Sequence, residues 1–145
     1  MFANNETGTL FPVKQIAEMA HAKGALFHTD AVQAFGKVPV NLHDFGVDFA
    51  SFSGHKFYSV KGTGFLYSRK GSQLIPLIHG GGQERHRRGG TENIIGIGSL
   101  GVAAKRAAGI AEKVKSIAAL RDHMESRILS EISEVTLTAG ESARV

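Results

Sequence analysis

Short apolar runs alternate with helix-spaced stretches along this chain, and that alternation narrows the fold more than any other feature. Between Phe11 and Gly24, Val13, Ile16, Ala17 and Ala20 recur at helical spacing. Pro12 suits the first turn of that helix and Gly24 the position just past its end. "ALFHTD" predicts a strand from Ala25 to about Thr29, closed by Asp30, and "DFASFS" and "GFLYSR" predict a second and a third. Between the first two, "AVQAFGKVPVNLHDFG" predicts a turn of helix and then loop, with Pro39 and Gly46 as breaks. "GGGQERHRRGG" is a glycine-rich basic loop. Helical spacing resumes at Thr91 and runs to about Ile132, with a bend near Gly109 and with Thr91 or Asn93 as cap. "EVTLTA" predicts a last short strand. Strands alternating with helices predict an α/β fold with a mostly parallel sheet, flanking helices and a long C-terminal helix. The modest link between "DFASFS" and "GFLYSR" leaves room for an antiparallel or bulged pair.

A chain of 145 residues with 42% hydrophobic content buries one core of ordinary size. The net charge of +4 suits an anionic small molecule as well as nucleic acid. There is no cysteine, which excludes disulfides, thiolate zinc sites and a cysteine nucleophile within these residues. The same absence fits a reducing compartment, so a cytoplasmic setting is expected. No two of the seven histidines form an HExxH pair. The opening "MFANNETG" drops from a short apolar piece straight into a polar turn, as expected of a chain that starts inside a larger fold.

In an open α/β sheet, ligands gather beyond the carboxyl ends of strands. Three polar clusters fall at such ends: Asn4 and Asn5, then Asp30, then Ser53, His55 and Lys56. Asp30 reads equally as the cap of the turn that follows and as the counter-ion of a protonated heterocycle. Lys56 reads either as a solvated loop lysine or, in a partly desolvated pocket, as an amine able to form a Schiff base with a carbonyl. His55 suits proton transfer or the shaping of the turn. Ser53 and Thr91 are hydroxyls with glycines nearby, and "GGTEN" opens a helix, so both suit phosphate; Arg85, Arg87 and Arg88 add positive charge. A carbonyl for Lys56, a basic ring nitrogen for Asp30 and a phosphate for Ser53 and Thr91 are united in pyridoxal 5'-phosphate. The alternative for the arginine loop is a nucleic-acid-binding module, which lacks an aromatic stacking platform beside it.

The stretches "ANNETGTLFPV", "FHTDAVQAFGK", "SFSGHKFYSVKGTGFLY" and "GGGQERHRRGGTEN" resemble, in order from Phe2 to about Leu100, the NifS/IscS-type cysteine desulfurases. These belong to the class-V aminotransferase family, with fold-type-I architecture. The resemblance implies a pyridoxal-phosphate enzyme that takes sulfur from L-cysteine. Its products would be L-alanine and a persulfide for iron–sulfur cluster or thio-cofactor assembly. It also implies a homodimer and a sulfur-acceptor or scaffold protein as partner. Lys56 would hold the cofactor covalently, Asp30 would pair with its ring nitrogen, and Asn5 and Gln33 would touch its phenolic oxygen side. Ser53 and His55 would bind its phosphate, and Thr91 would reach the phosphate of the neighbouring subunit's cofactor. A related implication is selenocysteine lyase or another class-V activity, since these motifs shape the cofactor site rather than the substrate site. The family's ring-stacking histidine, phosphate-binding glycine–threonine turn, nucleophilic cysteine and substrate-binding arginine have no counterpart in these residues. "YSVKG" stands where "YGPKG" is usual, and His86 and Gly90 where glycine and alanine are common. The expected division is a partial cofactor domain over 1–108, followed over 109–145 by a long helix leading toward a small domain.

Overall fold

Pro12 and Gly24 bracket the first helix as their chemistry demands. The computed structural model describes the backbone of residues 1–145 and every side chain but those of 111 and 112. In it α1 spans Val13–His21, with Pro12 just before it. The Gly24 amide then donates to the His21 carbonyl (2.9 Å), and Gly24 adopts φ +70°, a conformation that glycine enters without a Cβ clash. Val13 and Ala17 face the core.

Strand β1 is short, His28–Asp30. The expected residues Ala25 to Phe27 stay outside the ladder because the backbone of Phe27 is engaged elsewhere. Its amide donates to the Asp48 carboxylate (2.8 Å), and its carbonyl accepts from the amides of Asp48 (3.0 Å) and Phe49 (3.2 Å). Strand β2 (Phe49–Ser53) pairs in parallel with β1, and β3 (Gly64–Ser68) pairs antiparallel with β2. The sheet is therefore mixed, in the order β1-β2-β3. A parallel pair requires a crossover. Here residues 31–48 make it with isolated helical turns, such as Phe35 to Ala31 (3.2 Å) and Val38 to Ala34 (3.0 Å). Positive φ at Gly36 and Gly46, with Pro39 between them, stops those turns from merging into a helix.

Alternation along β2 sends Ala50 and Phe52 into the core and leaves Phe49, Ser51 and Ser53 on the opposite face. The core unites Phe2, Val13, Ala31, Ala34, Val47, Ala50 and Phe52. Beside it lies a knot of phenylalanines. Phe52 stacks on Phe65 at 4.3 Å, and Phe35 meets Phe57 edge-on at 4.9 Å. Each such pair contributes about 0.5–1.5 kcal/mol beyond its area. The knot joins the crossover, β2, β3 and the 3-10 turn Gly54–Phe57 into one body.

Beyond β3 the basic loop contains the four-residue α2, Gln83–His86, in which Glu84, Arg85 and His86 all hold positive φ. Helix α3 (Ile94–Ala107) is capped by Asn93, whose Oδ1 accepts from the Gly96 amide (3.0 Å). The helical run breaks over residues 108–110 and resumes as α4 (Ala111–Glu131). "EVTLTA" forms no strand. Positive φ at Glu134 and Ala139 breaks its extension, and it follows α4 as turns. Extended pairing is found instead further on, where Leu10 donates to Ala143 (2.7 Å) and Val145 to Gly8 (2.9 Å). The bidentate pair of Arg144 with Glu125 (2.7 and 2.8 Å) fastens this tail to α4. Among the described residues no helix is long and apolar enough to cross a membrane.

Candidate active site

The parallel register places the strand ends side by side. Thr29 is opposite Ala50 and Asp30 opposite Ser51, so Ser53 lies one residue pair further along the same face. Phe2 extends the arrangement on the other side of β1, its amide donating to the Asp30 carbonyl (2.7 Å). The turn that carries Asn5 therefore leaves the sheet at the same edge. His28, Asp30, Ser51 and Ser53 share this face, and His28 Nε2 bonds Ser51 Oγ at 2.7 Å. His28 thus braces the two parallel strands.

Asp30 meets the capping expectation. Its Oδ1 accepts from the Val32 amide (2.9 Å), capping the crossover turn. Its Oδ2 makes no hydrogen bond among the described residues and stays available to a donor. Ser53 Oγ and His55 Nδ1 lie 3.1 Å apart, so the hydroxyl and the ring fix each other whichever carries the shared proton. Lys56 follows on the 3-10 turn. Buried Gly54 and Phe57 hold that turn from both sides. Gly54 has no room for a side chain: a Cβ there would stand 2.8 Å from Leu100 Cδ2 and 2.9 Å from Thr63 Oγ1. Helix α3 is the support behind it, and Ser59 Oγ meets Ser99 Oγ at 2.6 Å.

The remaining candidates stand apart from these strand ends or open to solvent. Lys56 is exposed in this chain, not set in a partly desolvated pocket, because no described element covers the sheet face from which its turn departs. A cleft of about 1010 Å³ lies elsewhere, between β3, Ile75, Leu77, the Arg85–Arg88 loop and α3, and none of Asp30, Ser53, His55 or Lys56 lines it. Thr91 is exposed in the loop before α3 and makes no hydrogen bond to the strand-end residues; the Gly96 amide, one of the free N–H groups of that helix start, is already taken by Asn93. Asn5 is exposed and bonds its neighbour Glu6 (3.0 Å), while Asn4 shapes the turn by accepting from the Glu6 and Thr7 amides. Gln33 is half-buried and its Oε1 accepts from Lys37 Nζ (2.6 Å).

Sequence pattern does not single out Lys37. Its only signal is a spacing of four from Gln33, the reach of one helical turn. Burial, and then the ammonium of Lys56, hold the Lys37 pKa below the ordinary lysine value. Asp48 also escapes sequence notice. Among the described residues no cluster of three or more metal-ligating side chains occurs.

Fold and site together define an α/β protein that presents an amine, a carboxylate and a hydroxyl–imidazole pair at the ends of adjoining parallel strands. The aminotransferase class-V family model matches residues 1–144, and the chain belongs to that family. A cysteine desulfurase of Gluconacetobacter diazotrophicus is 53% identical over the whole chain, which covers 36% of that relative. A NifS-like protein from Rickettsia africae has the same fold over 99% of this chain and 40% of its own, with a TM-score of 0.92 and 38% identity. A structure described as SspA in complex with cysteine matches 72% of this chain and 30% of its own, with a TM-score of 0.68 and 47% identity. The chain spans little more than a third of the length of the curated relatives it matches.

Proposed function

We propose that this chain forms part of the cofactor site of a pyridoxal-phosphate-dependent cysteine desulfurase. The observation that carries the reading is the parallel register of β1 and β2, which sets the open Oδ2 of Asp30 beside the strand that leads into Ser53, His55 and Lys56. The donor set fits pyridoxal 5'-phosphate: an acceptor for a ring N–H, a primary amine for an aldehyde, and a hydroxyl with an imidazole for a phosphate. The relatives named cysteine desulfurase support the same reading.

Lys56 would hold the cofactor through its amine, and that amine would be the group that moves a proton at the substrate carbon. Asp30 would accept the ring N–H through Oδ2 while Oδ1 keeps the loop in place. The cofactor supplies an electron sink when bound. Ser53 Oγ would donate to phosphate, and His55, held by Ser53, would offer its Nε2 to the same group or to a passing proton. Asn5 and the Gln33 amide would stand on the phenolic oxygen side. Thr91, exposed before α3, would serve the site of a second copy in a homodimer. The reaction would release L-alanine and pass sulfur to a cysteine, for which these 145 residues offer no side chain. Sulfur would then go to an acceptor or scaffold protein in the cytosol.

Addition of pyridoxal phosphate should produce a visible absorption band, and borohydride should fix the cofactor to Lys56, located by mass spectrometry of peptides. Lys56→Ala should abolish both. A band that survives Lys56→Ala, or label on Lys61 or Lys70 instead, would refute the assignment. In a longer protein that includes this segment, sulfide release from L-cysteine should depend on Lys56. A preference for selenocysteine over cysteine would point to the lyase reading instead.

A further inference from the structure

We infer that Lys37 is a positioning residue that decides which end of the Gln33 carboxamide faces the strand-end site. The inference rests on the cofactor reading above and adds a side chain that stands outside the strand ends. Lys37 Nζ donates to Gln33 Oε1 at 2.6 Å. An ammonium has three donors and no acceptor, so only the amide oxygen can be its partner. Chemistry thereby settles an orientation that electron density rarely distinguishes. With Oε1 engaged, Gln33 meets a ligand as a donor through Nε2. That suits an oxyanion such as a ring phenolate and disfavours an N–H. Without Lys37 the two ends of the amide are nearly equal in shape, and either can turn inward.

The fold keeps this pair beside the lysine that matters. Gly36 (φ +76°) lies in contact with both neighbours: a Cβ there would stand 3.4 Å from Phe57 Cβ and 3.5 Å from Ala107 Cβ. The turn that carries Gln33 and Lys37 is thus seated on the 3-10 turn of Lys56 and on the end of α3. The depressed pKa of Lys37, caused first by burial and then by Lys56, agrees with that proximity. A charge-assisted hydrogen bond of this length is about twice as strong as a neutral one.

The test uses 4'-deoxypyridoxine 5'-phosphate, which carries the ring, phenol and phosphate but no aldehyde, and so needs no bond to Lys56. The ultraviolet absorption of the bound probe reports the pH at which its phenol ionises. A donor from Gln33 favours the ionised oxygen, so Lys37→Met, which opens a second amide orientation, should raise that midpoint by at least about 0.3 pH unit, the twofold loss of the donating one. Lys37→Arg, again a donor without an acceptor, should restore it. Gln33→Leu, which removes the donor outright, should raise the midpoint further, and Lys37→Met should add less in that background than it does in the parent. Lys56 and Asp30, the charged groups on the neighbouring turn and strand, are intact in every variant; the ammonium that Lys37→Met removes is felt by Lys56, and the same substitution in the Gln33→Leu background reads that loss of charge alone. A folded Lys37→Met chain with an unshifted midpoint would overturn the inference, as would a Lys37→Met effect in the Gln33→Leu background equal to that in the parent. If Lys37→Met fails to fold, Lys37→Gln takes its place: its neutral amide can donate to Gln33 or accept from it, so the orientation is no longer fixed and the midpoint should rise; an unshifted midpoint there overturns the inference equally. Failure of the parent chain to bind the probe at all would overturn the cofactor reading together with this one.

Discussion

Asp48 is 5% exposed and accepts from His21 Nε2 (2.8 Å) and from the Phe27 amide (2.8 Å), with Arg69 Nη1 at 3.8 Å. Three separate elements converge on one carboxylate: the end of α1, the approach to β1 and the exit from β3. Burial opposes its ionisation, but the bonds from His21 and Phe27 and the charges of His21 and Arg69 outweigh it, leaving the carboxyl below the ordinary aspartate range. A carboxyl whose pKa is lower folded than unfolded gives stability that is complete above the unfolded value, near pH 4, and is lost as pH falls through the folded one. The melting temperature should accordingly drop as the solution is acidified below about pH 4. Asp48→Asn should cost about 1–3 kcal/mol at neutral pH and flatten that acid limb. Thermal melts of both proteins across the range check it, and parallel acid limbs would assign the pH dependence to other groups.

At the level of elements, the joint between α3 and the turn that carries Lys56 is the one on which the site leans. Gly96 sits where a Cβ would collide with Thr63 Cγ2, and at 2.7 Å would crowd the capping amide of Asn93. Gly96→Ala should destabilise the chain by about 1–3 kcal/mol through overpacking. The same substitution should weaken pyridoxal phosphate uptake, because the displaced helix no longer backs Gly54. Denaturant unfolding and cofactor titration on the same sample separate the two effects, and a variant with normal stability and normal uptake would show that the joint has slack. Elements whose limits are set locally were legible in the sequence. Pro12 and Gly24 mark α1, Asn93 caps α3, and the alternation of "DFASFS" gives β2. Elements that depend on a distant neighbour were not. Ala25 to Phe27 has strand character, but Asp48 claims its backbone. "EVTLTA" has the same character and finds no strand to pair with. The site divides in the same way. Asp30, Ser53, His55 and Lys56 announce themselves as polar residues after apolar runs. The Asp48 cluster is hidden because its histidine lies 27 residues away, and Lys37 because its partner is decided by the crossover turn.

At the level of the whole molecule, much apolar surface meets water. Ile75 is 87% exposed and Leu77 92%, beside the cleft rimmed by Arg85, Arg87 and Arg88, and Ile117, Leu120 and Met124 lie exposed along α4. Contiguous patches of this kind drive association. The chain alone should sediment as oligomers at micromolar concentration and bind a hydrophobic dye. A single monomeric boundary with little dye binding would contradict this.

The clasp of residues 143–145 on 8–10, with Arg144 locked to Glu125, joins the two halves of the molecule by backbone as well as by side chain. The loop it holds lies only a few residues past Asn5. A disturbance in the last helix thus has a short mechanical route to the edge of the sheet, and distance along the chain is a poor guide to which substitutions leave that edge undisturbed.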